Sequence, residues 1–575
     1  MKQLKLIVIL FIPYLVFAQK DFTVTVHEIG GPDGMNPLTS TSANALFMQG
    51  NVFQKLLEYD AQTLQLRPVL AKALPTIKEV KKGKYKGGMS ITYEIHPDAV
   101  WDNGTEVTAE DYVFTIKAIK NPRVHADYIR PYIEFIDKII IDKKNYRKFT
   151  IYASEVYCRG IEATGQETFI LPEYHYDPTL LMRNFSIEDL NDPAKQEELK
   201  QHPVIIEFAS NFNNRKYVNN PKEVVGSGPY YVEEWAFGDF VRFKKKKDWW
   251  GDQVKDNAYL AAYPSEIRYK NVPNMDKAIQ QAREGKLDVI RSISPNRFEE
   301  LKKDEAFKKE FDFGTTGQFA YHYLGLNTKL PKLQDVRVRK AIAHAVDRDA
   351  VIELFDGAAV KINSPILPIK DYYNHAIKDM ELDLEQAKAY LADAGWKDSD
   401  GDGILDKMMN GKLEKLSFVF TYNQGHTIRR HIGQLLRDNL EQLKIELILE
   451  PVDFPTLLDK ADNRDFEIMA LAWVKSAGLD DLEQVWHRAS DKKGGSNRVG
   501  FGDATSDEII EKIKKTIDEE KRKALYLEIQ QKIADAQCYI FLVMPKETLF
   551  VSKKFKYPAL SPVRPGYRAR FFQLK

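Results

Sequence analysis

The sequence has 575 residues, of which 43% are hydrophobic and 29% are charged, as in ordinary globular proteins. At roughly 100–200 residues per domain, this length predicts two to four domains. The formal net charge is +1 and charges of both signs are interspersed, which argues against a nucleic-acid-binding protein or one held on an anionic membrane surface.

Residues 1–18 have the pattern of a secretory signal peptide. Lys2 and Lys5 give a positive start, residues 4–17 are apolar, and Ala18 ends an acceptable cleavage site. The apolar run is shorter than the roughly 20 residues that a membrane-spanning helix needs. No cysteine lies near the cut to carry a lipid anchor. The sequence therefore predicts a freely soluble periplasmic protein that is not a lipoprotein.

The sequence contains two cysteines, Cys158 and Cys538. The exported compartment permits disulfides, but sequence alone cannot place two such distant residues within bonding distance. A disulfide between them is therefore left open. The cysteines and histidines show no zinc-binding spacing.

The first half of the chain alternates predicted strands and helices. Residues 22–28 and 90–96 have the alternating pattern of strands, and residues 43–58 have the apolar spacing of a helix. Thr108 and Asp111 form a capping box at the start of another helix. The spacing predicts that the apolar positions of each element are buried.

The middle of the chain begins with an irregular region. Residues 176–224 are polar, and we expect loops and short helices there. A glycine turn at residues 226–228 then leads into a strand and lacks the pattern of a phosphate-binding loop. A strand, a helix over residues 275–284 and a second strand follow, which favours an α/β sheet.

Residues 323–355 predict a strand that enters a buried pair of helices. Asp335 is suited to cap the first helix and Asp347 the second. Beyond them the alternation continues. Strands are predicted at 416–420, 445–449, 467–473 and 540–544, and helices after Asp383, at 431–443 and over 506–536.

Residues 398–406 read DSDGDGILD and match part of an EF-hand calcium loop. Asp398, Asp400, Asp402 and Asp406 occupy positions 1, 3, 5 and 9, whereas position 12 is Met409 and not the usual closing carboxylate. These four aspartates predict a structural Ca²⁺ site. The alternative is a solvated acidic turn without an ion.

The sequence contains no motif of a known enzyme active site. The GxSxG, HExxH and dinucleotide-binding patterns are absent, and the eleven histidines are scattered. We therefore expect neither catalysis nor a cofactor, apart from the predicted structural Ca²⁺.

Several of these motifs together resemble the family 5 extracellular solute-binding proteins, the peptide- and nickel-binding receptors of bacterial ABC transporters. The resemblance rests on LGLNT at 324–328, DVRVRKAIAHAVDRDAVI at 335–352, WDNGTEVTAED at 101–111 and SGPYY at 227–231. The motifs follow the order of the family and cover most of residues 22–560.

The resemblance implies an α/β, two-lobed fold of the periplasmic-binding-protein type (type II, or Venus flytrap). It predicts a discontinuous lobe I of residues 19–60, 205–317 and 541–575, with residues 61–204 as an extra subdomain on that lobe. Lobe II is predicted over residues 318–540. Two crossings between the lobes would let them close on a ligand.

The resemblance also places the ligand between the lobes, with a peptide backbone paired to strands. It predicts ligand contacts at Glu28, Ile29 and Gly30, at Tyr321 and His322, and at Trp473, Val474, Lys475 and Ser476. The family usually has an aspartate three positions after the tryptophan, where it binds the ammonium group of the peptide.

This chain has Ser476 at that position, which puts recognition of a free amino terminus in doubt. Asp480, Asp481 and Glu28 are the candidates to supply the carboxylate instead. Lys475 is compatible with an anionic or N-blocked ligand, or it points to solvent.

The implied function is that of the exported substrate-binding component of an ABC transporter, which captures oligopeptides and delivers them to an inner-membrane permease. We expect a monomer. The alternatives are a receptor for a non-peptide ligand such as a metal chelate, a sensory or chaperone role without transport, and an enzyme on the same scaffold.

Overall fold

The computed structural model describes residues 21–40, 42–557 and 560–575, so the predicted signal peptide lies outside the described residues. The strands are β1 Thr23–Glu28, β2 Leu57–Tyr59, β3 Leu66–Pro68, β4 Thr76–Glu79, β5 Met89–Glu94, β6 Lys138–Ile141, β7 Lys148–Ala153, β8 Tyr230–Ala236, β9 Phe240–Lys245, β10 Glu266–Asn271, β11 Val289–Arg291, β12 Phe311–Gly317, β13 Ala320–Leu326, β14 Ala359–Lys361, β15 Asp406–Met409, β16 Lys412–Lys415, β17 Ser417–Asn423, β18 Glu446–Val452, β19 Ile468–Val474, β20 Tyr539–Phe541, β21 Val543–Ser552, β22 Phe555–Lys556 and β23 Gln573–Leu574.

The α-helices range from single turns to 18 residues. They are α1 Ala43–Gln49, α2 Ala109–Lys120, α3 Arg130–Ile133, α4 Gly160–Gly165, α5 Glu173–Tyr176, α6 Ile187–Asn191, α7 Gln196–Gln201, α8 Pro203–Phe212, α9 Arg215–Asn219, α10 Met275–Arg283, α11 Pro295–Lys303, α12 Glu305–Glu310, α13 Pro331–Gln334, α14 Val336–His344, α15 Arg348–Glu353, α16 Leu384–Asp393, α17 Thr427–Gln442, α18 Phe454–Asn463, α19 Glu483–Trp486, α20 Ala504–Lys515 and α21 Glu519–Ala536.

The first large sheet has the strand order β12-β21-β11-β1-β10-β9-β8, with β14 paired to β21. The central strand β1 runs parallel to both β10 and β11. Its Val24 and Val26 are fully buried, so β1 is fixed in register by its apolar residues. This register places Glu28 at the carboxyl end of the central strand.

A smaller antiparallel sheet, β4-β5-β7-β6, packs with α2 against the same hydrophobic core as the first sheet. The capping box predicted at Thr108 is present, because the Asp111 carboxylate accepts the Thr108 backbone N–H at 2.9 Å. The same carboxylate accepts the Trp101 indole N–H at 3.2 Å. Trp101 is therefore a packing residue of this core.

The second large sheet has the order β18-β17-β19-β13-β20. Along β13, Leu324 and Leu326 pack into one hydrophobic cluster, whereas Tyr321 and Tyr323 pack into another on the opposite face. Asp335 and Asp347 cap α14 and α15 as predicted, each accepting a backbone N–H at 2.9 Å. Both faces of this sheet are thus covered.

The chain crosses between the two large sheets twice. It passes from β12 directly into β13, and it returns from β20 directly into β21. The strands β12 and β21 pair with each other from Phe311↔Ser552 to Gly317↔Lys546. The two crossings therefore lie side by side, as a two-lobed fold with a hinge requires. The predicted lobe boundaries themselves stay a prediction.

Two predicted helices differ from the structure. The helix predicted over 43–58 ends at Gln49, and residues 57–59 form β2. Leu56 and Leu57 are buried as expected, but in an extended segment whose apolar spacing imitates a helix. The helical region predicted over 506–536 is two helices, because Asp518 caps α21 by accepting the Lys521 N–H.

Cys158 and Cys538 are both free thiols, one half-buried and one buried. No helix within the described ranges is long and apolar enough to cross a membrane.

Candidate functional site

A cavity of about 730 Å³ is lined by segments that belong to both halves of the fold. One part of its lining comes from α1 and from Lys55–Tyr59, and another from residues 564–570 near the carboxyl terminus. The segment Val474–Ser476, at the carboxyl end of β19, lines the same cavity. Concave sites with few convergent polar groups are the usual sites for small ligands.

The residues predicted at the end of β1 lie in different environments. None of the three, Glu28, Ile29 and Gly30, lines the cavity. Glu28 is buried, with its carboxylate 3.6 Å from Arg291 Nη2. Burial raises the pKa of Glu28 to about 7, although the nearby Arg291 guanidinium opposes this shift. Ile29 is 54% exposed, and the Gly30 carbonyl accepts a hydrogen bond from the Asn44 amide at 2.6 Å.

Tyr321 and Trp473 do not line the cavity. They lie directly opposite each other on β13 and β19, so their side chains share one face of the second sheet. That face is packed: Tyr321 contacts Phe541, and the Trp473 indole N–H donates to the Tyr539 hydroxyl at 3.3 Å. The periodicity of the strand thus places both rings in the core.

His322 lies on the opposite face and is also outside the lining. Its ring is close to the rings of Phe355 and His426. Burial lowers the pKa of His322 to about 4, and the Arg429 guanidinium adds to this shift. His322 is therefore neutral at physiological pH.

Val474, Lys475 and Ser476, which are three of the predicted ligand contacts, line the cavity. Val474 is 72% exposed. Lys475 does not point freely to solvent, because its Nζ lies 2.8 Å from Asp480 Oδ1. Ser476 stands where the family usually has an aspartate. The acid four residues further on, Asp480, is already paired with Lys475.

Asp480 is buried and pairs with two lysines, Lys475 and Lys370. Lys370 Nζ lies 3.8 Å from its carboxylate and donates hydrogen bonds to the backbone carbonyls of Ser476, Ala477 and Gly478. Burial would raise the pKa of Asp480, but Lys475 and Lys370 outweigh it and lower the pKa. Asp481, the other candidate acid nearby, is exposed.

The sequence patterns did not reveal a carboxylate–guanidinium cluster in the lining. Glu58 pairs with Arg568 and with Arg570, whose Nη2 lies 3.1 Å from the carboxylate. Burial alone would raise the pKa of Glu58, but the two arginines and Lys55 hold it at about 2. Glu58 is therefore ionised and fully engaged at neutral pH.

Two contacts bridge the segment around α4 and the second half of the fold. The Leu479 backbone N–H donates to Glu162 Oε1 at 2.7 Å, and the Cys158 backbone N–H donates to the Lys514 carbonyl at 2.9 Å. Glu162 also pairs with Arg159 at 3.2 Å. Arg159 also lines the cavity, so these contacts lie next to it.

The predicted calcium loop divides into two parts. Asp398, Asp400 and Asp406 bring carboxylate oxygens within 4.8 Å of one another. Asp402 is not part of this group, because its carboxylate pairs with Lys415. Lys444 pairs with Asp398 at 2.8 Å and would compete with a cation.

The sequence is similar to a family of bacterial binding proteins over most of its length. The sequence pattern of the bacterial extracellular solute-binding proteins, family 5 (middle region), matches residues 65–496. The chain is 26% identical over 560 residues to the oligopeptide-binding protein AppA of Bacillus subtilis, covering 96% of this chain and 91% of that protein. It is 22% identical over 459 residues to the periplasmic oligopeptide-binding protein OppA of Salmonella typhimurium, covering 77% and 74%.

Solved structures show the same architecture. The structure of Bacillus subtilis AppA in complex with a nonapeptide aligns with a TM-score of 0.64 at 24% identity, covering 97% of this chain and 99% of that one. HbpA2 from Haemophilus parasuis aligns with a TM-score of 0.76 at 17% identity, covering 96% and 100%. These similarities confirm the predicted two-lobed α/β fold.

Proposed function

The chain belongs to the bacterial extracellular solute-binding proteins of family 5, and we propose that it captures oligopeptides between its two lobes for an ABC transporter. The observation that carries this proposal is the cavity of about 730 Å³, lined by residues from both sides of the hinge. A ligand in this cavity would contact both lobes, and so would favour the closed arrangement over an open one.

The end of β19 is suited to bind an extended peptide backbone. The parallel pairing of β19 with β17 stops at Met469. Within residues 42–557, no further strand pairs with Leu471–Val474 on that side. An extended peptide can add to such a free edge through main-chain hydrogen bonds, with its side chains in flanking pockets.

The acids near the cavity offer no free site for the ammonium group of a peptide. Asp480 already holds Lys475 and Lys370, so it offers no free carboxylate to a ligand ammonium group. Glu28 is buried, does not line the cavity and is half-protonated near pH 7. The ligand is therefore held through its backbone and through groups other than a free amino terminus.

We also propose where the protein acts and with which partner. The protein is exported by a signal peptide cleaved after Ala18, without a lipid anchor, and acts in the periplasm as a monomer. The closed form delivers its ligand to an inner-membrane permease. It catalyses no reaction. The similarity to named oligopeptide-binding proteins supports this role.

Mass spectrometry of small molecules released by denaturing the protein, purified from its export compartment, tests the proposal. We expect a set of short peptides. A single non-peptide compound would instead favour the alternative of a receptor for a metal chelate or another small molecule. That alternative is supported by the occupied Asp480, which removes the expected ammonium site.

A further inference from the structure

Positive charge is concentrated around the cavity. Its lining contains six cationic and two anionic side chains, although the whole chain carries a net charge of only +1. Two acids and one lysine outside the lining, Glu162, Asp480 and Lys370, pair with or hydrogen-bond to lining residues. Cations still outnumber acids when these three are counted. The seven cations are Lys55, Arg159, Lys370, Lys475, Arg564, Arg568 and Arg570, and the four acids are Glu58, Glu162, Glu167 and Asp480.

The cations outnumber the acids because two of the acids each pair with two cations. Glu58 pairs with Arg568 and Arg570, and Asp480 pairs with Lys475 and Lys370. By formal charge, each cluster therefore has one cation more than it has acids. In a partly desolvated cavity such an excess of positive charge attracts an anionic ligand more strongly than it would in water.

Two cations in the lining have donors left for a ligand. Arg564 is exposed at the cavity and makes no ion pair or side-chain hydrogen bond with any described residue. Lys55 makes no ion pair within the described ranges, although burial lowers its pKa and the nearby Glu167 and Glu58 carboxylates oppose this shift. Its Nζ lies 4.7 Å from the centre of the Phe169 ring. A guanidinium and an ammonium group in these positions can both donate charge-assisted hydrogen bonds to carboxylates.

We infer that the cavity selects acidic peptides, whose side-chain carboxylates bind at Arg564 and Lys55 while no ligand ammonium group is bound at Asp480. This inference rests on the proposed function, because it assumes that the ligand is a peptide. It explains why the lining is cationic while the adjacent buried acid Asp480 is occupied by the protein's own lysines.

Calorimetric titration with three matched peptides tests the inference. Ala-Glu-Ala-Glu-Ala is compared with analogues that carry glutamine or lysine in place of glutamate, each with a free and with an acetylated amino terminus. We expect the glutamate peptide to bind about tenfold tighter than the glutamine peptide, as one or two charge-assisted hydrogen bonds would give. Acetylation should change its affinity by less than about threefold, which is under 1 kcal/mol. Raising the salt concentration should narrow the difference between the two peptides.

A matched pair of variants locates the effect. Arg564→Gln should weaken the glutamate peptide about fivefold and leave the glutamine peptide within about twofold, whereas Arg437→Gln on α17, outside the cavity lining, should change neither. Equal binding of glutamate and glutamine peptides, or preference for lysine, would overturn the inference and leave peptide binding intact. Failure of all three peptides to bind would count against the inference and the proposed function together.

Discussion

Lys475 Nζ lies 2.8 Å from Asp480 Oδ1 in a buried ion pair at the rim of the cavity. Asp480 also accepts a hydrogen bond from the Tyr372 hydroxyl at 3.0 Å, and its side chain is only 3% exposed. The Asp480 carboxylate is therefore engaged by side chains of the protein itself. It fixes the loop of residues 475–480, against which a ligand would lie.

Replacing Asp480 should destabilise the fold strongly. Asp480→Ala leaves the buried Lys370 without its counter-charge, and removal of one partner of a buried pair costs about 3–5 kcal/mol. Asp481→Asn removes the charge of an exposed acid one residue away and keeps an acceptor for the Glu483 backbone N–H, so it should cost less than about 0.5 kcal/mol. Urea denaturation measures both changes. Equal effects of the two variants would show that the buried pair does not stabilise this loop.

Glu28 should make stability fall as pH rises. Its pKa is raised to about 7 from 4.5, so between these values the unfolded chain releases a proton that the native state keeps. The free energy of unfolding of the wild type, relative to Glu28→Gln, should fall by on the order of 3 kcal/mol from pH 4.5 to 7.5.

The matched control for this pH profile is Glu266→Gln, on the neighbouring strand β10. Glu266 is half-buried at the start of β10 and pairs with Arg268, so this variant should keep the wild-type profile. A Glu28→Gln profile parallel to that of the wild type would mean that Glu28 titrates normally.

Glu162 should help to hold the two halves of the fold together. Its carboxylate accepts the Leu479 N–H and pairs with Arg159. Glu162→Gln weakens a charge-assisted contact worth about 1.5–3 kcal/mol, so ligand-free protein should be more expanded in small-angle X-ray scattering. The exposed Glu155→Gln serves as control. An unchanged radius of gyration in Glu162→Gln would show that this contact does not hold the lobes together.

The aspartate loop remains a predicted Ca²⁺ site that can be tested by thermal unfolding. Calcium should raise the melting temperature of the wild type. Asp400→Asn should abolish the increase, because Asp400 belongs to the group of three carboxylates, whereas Asp402→Asn should retain it. If calcium left the melting temperature of the wild type unchanged, the predicted Ca²⁺ site would be ruled out.

Sequence motifs were sufficient for the fold but not for the whole site. Caps such as Asp335 and the alternation of β1 are local features, and the structure has them where the sequence placed them. The pairing of Glu58 with Arg568 joins residues 510 positions apart, for which no local pattern exists. The family resemblance predicts Trp473 as a ligand contact, whereas its indole packs beside Tyr539 outside the cavity lining. Strand periodicity could not have shown this, because it does not tell which face of a sheet is open.

The central claim, that peptides bind between the lobes at the end of β19, is tested most directly by calorimetric titration of two tryptophan variants. Val474→Trp fills the cavity at an exposed position, and Ile448→Trp places the same side chain at an exposed position of β18, outside the cavity lining. With a peptide recovered from the native protein, Ile448→Trp should bind like the wild type, and Val474→Trp should lose at least about tenfold in affinity. Wild-type affinity in a folded Val474→Trp variant would contradict this assignment of the site.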